Sequence, residues 1–153
     1  MRKINNFILE CERIKLPIKI IKKIEKKLKE YNGKIYLVGG NVRDLILGNE
    51  IASHPDLVVN VEYEILVKCL KKAKINFLEI GSKFDSLVVL DSGFKIDITC
   101  MRTDVETDGR WAKTQFTEDL VKDSNRRDFT FNSIYCDTNG VVYDPNNGVN
   151  DLK

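Results

Sequence analysis

Three features are missing from this sequence, and each absence excludes a class of protein. Its apolar runs are only a few residues long, which excludes a membrane-spanning helix. Residues 1–15 alternate charged and apolar side chains, so we expect no secretory signal peptide. The cysteines form no CxxC pair, which argues against a zinc site or a disulfide framework and favours a reducing cytoplasm. They are Cys11, Cys69, Cys100 and Cys136.

The overall composition is typical of one folded domain. The 153 residues are 42% hydrophobic and 31% charged, as expected for a globular protein rather than a disordered one. The net charge is only +2, yet residues 15–29 are rich in lysine and contain a single acid, Glu25. We interpret this stretch as a solvated helix face, with a polyanion-binding surface as the alternative.

The first half of the chain alternates predicted helices and strands. Apolar residues at helical spacing predict a helix that begins after Pro17 and ends before Gly33. Its buried face is predicted to consist of Ile20, Ile21, Ile24 and Leu28. The elements predicted after it are a strand at 34–38, a helix ended by Gly48, a strand at DLVVNV and a helix at 63–74.

The second half is predicted to be rich in strands, at 76–80, 86–90 and 94–100, with a hairpin turn at Asp91-Ser92-Gly93. Residues 103–116 are polar and contain Asp108-Gly109, so we predict a loop there. RRDFTFNSIYCD is predicted to begin as a helix and continue as a strand, and two short strands flank Asn139-Gly140. This order of elements predicts an α/β (α+β) fold with a mixed sheet.

A glycine pair, Gly39-Gly40, lies between a strand and a helix in YLVGGNVRDLILG. Glycine lets backbone N–H groups approach an anion closely, and a helix N-terminus adds a favourable field. Arg43, near the start of this helix, can bind phosphate. The simpler interpretation is a tight turn followed by a surface pair, Arg43 and Asp44. If the glycines are considered by themselves, we favour this simpler interpretation, because their spacing matches neither GxGxxG nor the Walker motif.

Two aspartates are candidate metal ligands. Asp56 opens an apolar strand, and Asp97 points away from the core that Ile96 and Ile98 face. Nucleotidyl transfer uses two cations about 3.5–4 Å apart, and such ions take oxygen ligands. Either aspartate alone is better explained as a solvated residue at a strand end.

The densest polar cluster is RRDFTFN, residues 126–132. On a helix Asp128 and Asn132 would share a face and could contact a ribose, while Arg126 and Arg127 could hold phosphate. The simpler interpretation is a first helical turn in which Asp128 stabilises the helix dipole.

Taken together, these motifs resemble the head domain of the class II tRNA nucleotidyltransferase and poly(A) polymerase family. The resemblance runs from about residue 34 to residue 153 through LVGGNVRDLILG, DLVV, KIDITCMRTD, DGR, EDL and RRDFTFNSI, in the family's order. It implies a nucleotidyltransferase fold of the DNA polymerase β type in residues 34–153. The helical segment 1–33 precedes the match, and we expect it to pack on this domain. The neck and body domains of the family would be absent.

The resemblance also implies a reaction, the Mg²⁺-dependent transfer of CMP or AMP from CTP or ATP to the 3′ end of a tRNA or another RNA. Asp56 would be a metal carboxylate and Asp97 a supporting carboxylate on the adjacent strand. The residues that would bind the nucleotide are Gly39, Gly40, Arg43, Asp44, Arg110, Arg126, Arg127, Asp128 and Asn132.

The stretch SHPDLVVN departs from the family pattern, which is Asp-x-Asp followed by apolar residues. Alignment of the apolar runs places Asp56 at the second aspartate and His54 at the first. The other register, with Asp56 first and Val58 second, aligns LVV less well, and in either register one metal carboxylate is absent. Imidazole can bind a metal but suits Zn, Mn or Co better than Mg²⁺. Pro55 removes a ladder N–H and favours a strand start. We therefore expect impaired catalysis. A second departure is Asp85, where the family usually has glycine.

The sequence stops within the segment that leads into the neck in this family, which leaves three hypotheses. The first is a catalytic head whose neck and body lie elsewhere, for example on a separate chain. The second is a non-catalytic nucleotide- or RNA-binding module. The third is a subunit whose surface binds a partner chain.

Overall fold

A computed structural model describes residues 2–49, 54–80, 85–107 and 109–152. The helices in these ranges are α1 Phe7–Arg13, α2 Ile18–Leu28, α3 Gly40–Leu47, α4 Tyr63–Lys72, α5 Leu120–Asn125 and α6 Gly148–Asp151. The strands are β1 Arg2–Lys3, β2 Ile35–Val38, β3 Asp56–Val59, β4 Phe77–Glu79, β5 Ser86–Asp91, β6 Phe94–Cys100, β7 Arg102–Thr107, β8 Arg110–Phe116, β9 Tyr135–Cys136 and β10 Val141–Tyr143. None of the described helices has the length and apolar character needed to cross a membrane.

Eight of the strands form one mixed sheet in the order β1-β10-β9-β2-β3-β6-β5-β4. β3 and β6 are parallel, whereas the other neighbouring pairs are antiparallel. The predicted α/β fold with a mixed sheet is confirmed. The remaining two strands, β7 and β8, pair with each other as a separate ribbon.

One face of the sheet packs against the helices and forms the main core. Leu57 and Val59 of β3 point to this face, as do Ile96 and Ile98 of β6, and we call it the core face. On α2 the predicted face is confirmed, since Ile20, Ile21, Ile24 and Leu28 are all buried. Burial of each such side chain contributes about 1.5–3 kcal/mol relative to leaving it in water.

The N-terminal segment adds to the same sheet and the same core. β1 pairs with the edge of β10, and Phe7 and Cys11 of α1 are buried among the core residues. Gly140 lets this segment approach closely, because a Cβ there would lie 2.8 Å from the Cβ of Phe7. Sequence patterns had not predicted β1 or α1, since both are short and lack a clear period.

The prediction of a loop at residues 103–116 is wrong. This stretch forms the β7–β8 hairpin, with its turn next to Gly109, which has a φ of 77°. Asp-Gly between two strands is a strong hairpin signal, and the polar composition of the flanking strands obscured it. Asp108 itself lies outside the described residues.

The predicted helix at the start of RRDFTFN is also wrong. Helix α5 ends at Asn125, before the motif begins, and Phe129 is extended with φ −124° and ψ 144°. Only a single 3₁₀ turn follows, at Thr130–Asn132. Asp128 and Asn132 therefore do not share a helical face. The strand predicted after them is confirmed as β9.

Candidate active site

Asp56 and Asp97 lie side by side on the two parallel strands of the sheet. They are register partners of β3 and β6, so both carboxylates project from the face opposite the core face, which we call the site face. The Asp97 N–H donates to the Pro55 carbonyl at 2.9 Å, and the Asp56 N–H donates to Asn41 Oδ1 at 3.1 Å. These two bonds hold the start of β3 against β6 and against helix α3.

The charge of Asp56 is destabilised by this arrangement. Partial loss of hydration raises the pKa of the Asp56 carboxyl, and the neighbouring charge of Asp97 raises it further, while Arg127 and His54 act in the opposite direction. The carboxylate still reaches solvent at the tip of the strand. A cation placed between the two aspartates would relieve their repulsion.

The turn from β2 into α3 requires glycine at position 39. Gly39 has φ 73° and ψ −135°, a conformation essentially restricted to glycine, and its carbonyl accepts from the N–H groups of Val42 and Arg43, both at 3.1 Å. The first N–H groups of α3 have no partners within the helix, so this turn presents donors suited to an anion. Arg43 folds back over Gly40 and pairs with Asp44 at 3.4 Å.

A buried carboxylate, Asp123, holds the two arginines of the RRDFTFN motif. Arg126 Nε donates to Asp123 Oδ1 at 3.2 Å, and Arg127 donates to Asp123 Oδ2 through Nε and Nη2, both at 3.3 Å. The Arg102 N–H donates to the same carboxylate at 3.0 Å. Asp123 is fully buried, so its charge orients the arginines without reaching a ligand itself.

Tyr135 completes this cluster from β9. Its hydroxyl donates to Asp123 Oδ2 at 2.6 Å, and its ring lies 5.7 Å from the Arg127 guanidinium carbon. Burial, followed by the charge of Asp123, raises the pKa of the Tyr135 hydroxyl, which therefore remains a donor. The Tyr135 ring also meets the ring of Tyr36 edge to face at 6.3 Å, which anchors the cluster to β2.

A cleft of about 450 Å³ on the site face brings most of these groups together. It is lined by Val38, Gly39, Gly40, Asp56, Leu57, Val58, Thr99, Arg102, Arg126, Arg127 and Asn132. Two larger cavities, of about 670 and 790 Å³, lie elsewhere and contain neither aspartate of the pair. We take the smaller cleft as the site, because it combines a carboxylate with three guanidinium groups and a glycine turn.

The remaining predicted site residues lie at or beyond the margin of the cleft. Asp97 stands beside Asp56, and His54 is exposed just before β3. Asp128 is exposed and does not line the cleft. Arg110 begins β8, but its side chain lies outside what the structure describes.

Comparison with known proteins places the domain in a family. The family model described as the poly A polymerase head domain matches residues 35–153. The chain belongs to this family. The head domain is 34% identical over 127 residues to the CCA-adding enzyme of Geobacillus kaustophilus, which corresponds to 82% of this chain and 30% of that protein. It is 31% identical over 134 residues to human mitochondrial CCA tRNA nucleotidyltransferase 1, or 87% of this chain and 31% of that one.

Solved structures show the same relationship. The CCA-adding enzyme of Bacillus stearothermophilus in complex with CTP matches the head domain with a TM-score of 0.74 and 30% identity, over 90% of this chain and 32% of that one. The Thermotoga maritima CCA-adding enzyme complexed with tRNA-CCA matches with a TM-score of 0.70 and 27% identity, over 99% of this chain and 34% of that one. The resemblance and the nucleotidyltransferase fold predicted from sequence are confirmed. The chain spans about a third of the length of these relatives.

Sequence reasoning missed several residues of the head domain's site, above all Asp123. Its spacing to Arg126 and Arg127 is i, i+3 and i, i+4, which is a helical ion-pair pattern and was the available signal. Asn41 and Tyr135 also escaped notice, because their contacts come from strands and helices distant in sequence.

Asp85 forms a definite contact in this head domain. It pairs with Arg102 Nη1 at 2.5 Å, and its carbonyl accepts from the Cys100 N–H at 2.8 Å. Since Arg102 also lines the cleft, Asp85 restrains one of the three guanidinium groups there. This side chain therefore acts on the cleft through Arg102.

The donor set at the carboxylate pair fits a hard divalent cation. Asp56 and Asp97 supply oxygen ligands from adjacent strands, and Mg²⁺ is commonly held by one or two carboxylates together with water and substrate phosphates. Within the described part of the chain no group of three or more metal-binding side chains forms. The side chain of Asn41 is buried beside Asp56, and its Nδ2 has no partner among the described residues. Two carboxylates leave most positions around such a cation open to water or substrate oxygens.

Proposed function

We propose that this head domain binds a nucleoside triphosphate in the cleft and serves in the transfer of CMP or AMP to the 3′ end of a tRNA. The observation that carries the proposal is the arrangement of charges. A carboxylate pair stands on one side, and a glycine turn with Arg126 and Arg127 stands on the other. The carboxylates would suit metal cations, and the basic groups would suit the negative charge of a triphosphate.

Each group of the cleft has a role in this proposal. The N–H groups that follow Gly39 and the two arginines held by Asp123 bind the β- and γ-phosphates. Arg43 adds positive charge above Gly40, and Asn132 contacts the ribose. The RNA 3′-hydroxyl oxygen forms a bond to the α-phosphorus as the bond from that phosphorus to the α–β bridging oxygen breaks. Pyrophosphate leaves, and the hydroxyl proton passes to solvent.

Mg²⁺ is the cation that we assign to Asp56 and Asp97, where it would neutralise phosphate charge and activate the attacking hydroxyl. His54 stands where a second carboxylate would add negative charge. Because imidazole nitrogen suits softer cations than Mg²⁺, we propose that Mg²⁺ binds weakly here and that transfer is impaired.

His54 also favours a second candidate function. A nucleotide- or RNA-binding module that does not catalyse would keep the glycine turn and the arginines but would not need a strong cation site. In both cases we assign base selection and the grip on the tRNA body to polypeptide outside this chain, in the same protein or in a partner chain. The residues of this cleft are suited to phosphate and ribose.

The test is calorimetric binding of ATP and CTP, with and without Mg²⁺, to this chain, to His54→Asp and to His54→Asn. We expect all three proteins to bind both nucleotides, with Mg²⁺ strengthening binding mainly in His54→Asp. The Asn variant is the matched control, since it removes the imidazole without adding charge. Mg²⁺ dependence equal in all three would support the non-catalytic module. Absence of nucleotide binding by all three would contradict the proposal.

A further inference from the structure

Helices α2 and α4 carry a concentrated positive charge on the sides that face solvent. Residues 15–31 and 63–74, which contain these helices, hold eleven lysines and three glutamates, so their net charge is +8 and that of the rest of the chain is −6. We call the exposed surface of these two ranges the lysine face. Its exposed lysines are Lys15, Lys19, Lys22, Lys23, Lys26, Lys29, Lys68, Lys71, Lys72 and Lys74. The total charge of +2 conceals this separation, and a surface of one sign attracts ligands of the other.

The acids within the lysine face do not neutralise it. Glu25 accepts from the Thr138 hydroxyl at 2.7 Å, which holds its carboxylate toward the turn between β9 and β10. Glu30 Oε1 lies 3.6 Å from Lys27 Nζ and its Oε2 lies 3.5 Å from Lys72 Nζ, so one carboxylate connects the two helices. The third glutamate stands in the first turn of α4, before the lysines of that helix. Among the described residues the lysine face forms no other ion pair, so most of its lysines keep their charge for a ligand.

A row of lysines follows the exposed side of α2. Lys19, Lys22 and Lys26 are three and four residues apart, so the Cβ atoms of neighbours in the row are about 5–6 Å apart. The opposite side of α2 is fixed in the core by Ile21 and Ile24, so the row always faces solvent. Like charges at this spacing destabilise a helix, and a polyanion that bridges them removes the cost. The fold thus presents a rigid line of cations to closely spaced phosphates.

The side chains that the lysine face lacks indicate which polyanion it binds. Within residues 15–31 and 63–74, all of them described, no large apolar side chain is exposed. Helices that bind membranes insert Trp, Phe or Leu into the lipid, and protein interfaces are enriched in aromatic residues and depleted of lysine. Single-stranded RNA stacks its bases on aromatic rings, but the Tyr31 ring is covered by Lys72, whose Nζ lies 5.1 Å from the ring centroid. The phosphates of a duplex require only cations.

We infer that the lysine face binds the phosphate backbone of double-stranded RNA. Helices α2 and α4 pack on the core face of the sheet, whereas the cleft opens on the site face. An RNA whose 3′ end occupies the cleft therefore meets the lysine face through a different, base-paired segment. The choice of RNA over DNA rests on the proposed function, whereas the attraction to phosphate does not. Lysines that contact phosphates read no base edges, so we expect no sequence preference.

The salt dependence of duplex binding tests the inference. A fluorescent blunt RNA duplex of about 16 base pairs carries a phosphate on both 3′ ends, so it offers no 3′-hydroxyl to the cleft. It is titrated with the parent, with the triple variant Lys19→Gln, Lys22→Gln, Lys26→Gln, and with the control Lys95→Gln, Lys113→Gln, Lys122→Gln. The control removes three exposed lysines from β6, β8 and α5, so the net charge falls equally. Glutamine has nearly the helix propensity of lysine, so α2 is retained.

We expect the α2 variant to bind the duplex about tenfold more weakly at moderate salt. The slope of log affinity against log salt concentration should fall by about 2–3, because three phosphate contacts are lost. The control should match the parent, and ATP and CTP binding should be equal in all three proteins, because the row lies away from the cleft.

Lysine acetylation of the unmodified protein locates the contact directly. Saturating duplex should slow acetylation at Lys19, Lys22 and Lys26 and leave Lys95 and Lys113 unchanged, as measured by mass spectrometry. Undetectable duplex binding at low salt, equal losses in variant and control, or protection confined to other lysines would each overturn the inference.

Two competing ligands complete the test. Tighter binding of a DNA duplex of the same length would overturn the choice of RNA. Vesicles of phosphatidylcholine and phosphatidylserine in equal parts that bind through the row and displace the RNA duplex would show that the lysine face meets a membrane instead. Loss of ATP and CTP binding by the parent, with the duplex still bound, would contradict the proposed function and not this contact.

Discussion

Asp56 and Asp97 face the same side of the sheet from matched positions on adjacent parallel strands, although a helix and two strands separate them in sequence. The negative charge of Asp97 makes ionisation of the Asp56 carboxyl less favourable in the folded state. At Asp56 the effect adds to partial loss of hydration, so the folded protein holds a proton there more tightly than the unfolded chain does. A site that binds cations is expected to carry such a cost when no cation is present.

Asp56→Asn should make the domain more stable at neutral pH. Because the folded-state pKa of Asp56 is raised, the folded state binds more protons than the unfolded state between the two pKa values, so stability falls as pH rises through that window. Asparagine does not ionise, so the variant does not lose stability as pH rises through this window. The gain in unfolding free energy over the parent should be full above the folded-state pKa of Asp56. It should vanish below the pKa of an aspartate in the unfolded chain, about 3.9.

Urea unfolding of parent and Asp56→Asn between pH 3 and pH 8 measures this difference. Saturating Mg²⁺ should then stabilise the parent but not the variant, because the variant lacks a charged ligand. A variant that is less stable than the parent at pH 7 without Mg²⁺ would show that the Asp56 charge is already compensated.

Asp123→Asn should destabilise the domain strongly. Asp123 is buried and accepts hydrogen bonds from both arginines of the motif and from the Tyr135 hydroxyl. Breaking a buried ion pair costs about 3–5 kcal/mol. Arg126 and Arg127 remain partly hydrated, so we expect about 3 kcal/mol in denaturant unfolding, the lower end of this range.

Asp119→Ala is the control for that change, because it removes the aspartate that caps the N-terminus of the same helix, α5. Asp119 is exposed and caps the helix by accepting from the Val121 N–H at 2.9 Å, so its loss should cost about 1 kcal/mol. Nucleotide binding should weaken in Asp123→Asn and persist in Asp119→Ala. Equal losses of stability in the two variants would argue against the ion-pair role of Asp123.

Gly39→Ala should cost about 1–3 kcal/mol of stability through backbone strain alone. A Cβ there would meet only the Asn132 carbonyl oxygen, at an ordinary 3.8 Å, so steric clash is not the reason. Gly48→Ala is the control, because Gly48 has a similar φ of 76° but lies at the other end of α3 with no atom near its Cβ position. Thermal unfolding compares the two, and ATP titration should show weaker binding in Gly39→Ala only. Unchanged ATP binding in Gly39→Ala would show that this turn does not contribute to nucleotide binding.

Gly148→Ala should displace α6 from the 3₁₀ turn that contains Asn132. A Cβ at Gly148 would collide with the Thr130 carbonyl group, which is backbone and cannot rotate away. We expect a loss of about 3 kcal/mol, the upper part of the usual range for overpacking. Gly93→Ala is the control without a clash: nothing lies within 4 Å of its Cβ position, and its φ of 80° adds a strain of about 1–2 kcal/mol, which should still leave it more stable than Gly148→Ala. Calorimetric melting of both variants checks this, and similar melting temperatures would contradict the close packing of α6.

Much of the fold could be predicted from local patterns. The helical spacing on α2 and the hairpin at Asp91-Ser92-Gly93 were predicted correctly, because each signal lies within a few residues of chain. The hairpin at β7–β8 was missed despite its Asp-Gly turn, because its strands lack apolar alternation. The conformation of RRDFTFN was also missed, since Phe129 is extended rather than helical. Its arginines bind the buried Asp123 and its Thr130 lies against Gly148, and neither contact is visible within the motif itself.

The sequence by itself determined the family, the mixed α/β fold and the presence of aspartates, a glycine pair and paired arginines, because these are written in residue types and short spacings. Only the tertiary structure decided how they are arranged. The register of β3 with β6 sets Asp56 beside Asp97, and burial of Asp123 fixes two arginines at the cleft. Such relations depend on packing between segments far apart in the chain, where side-chain direction is decided by the sheet and the core.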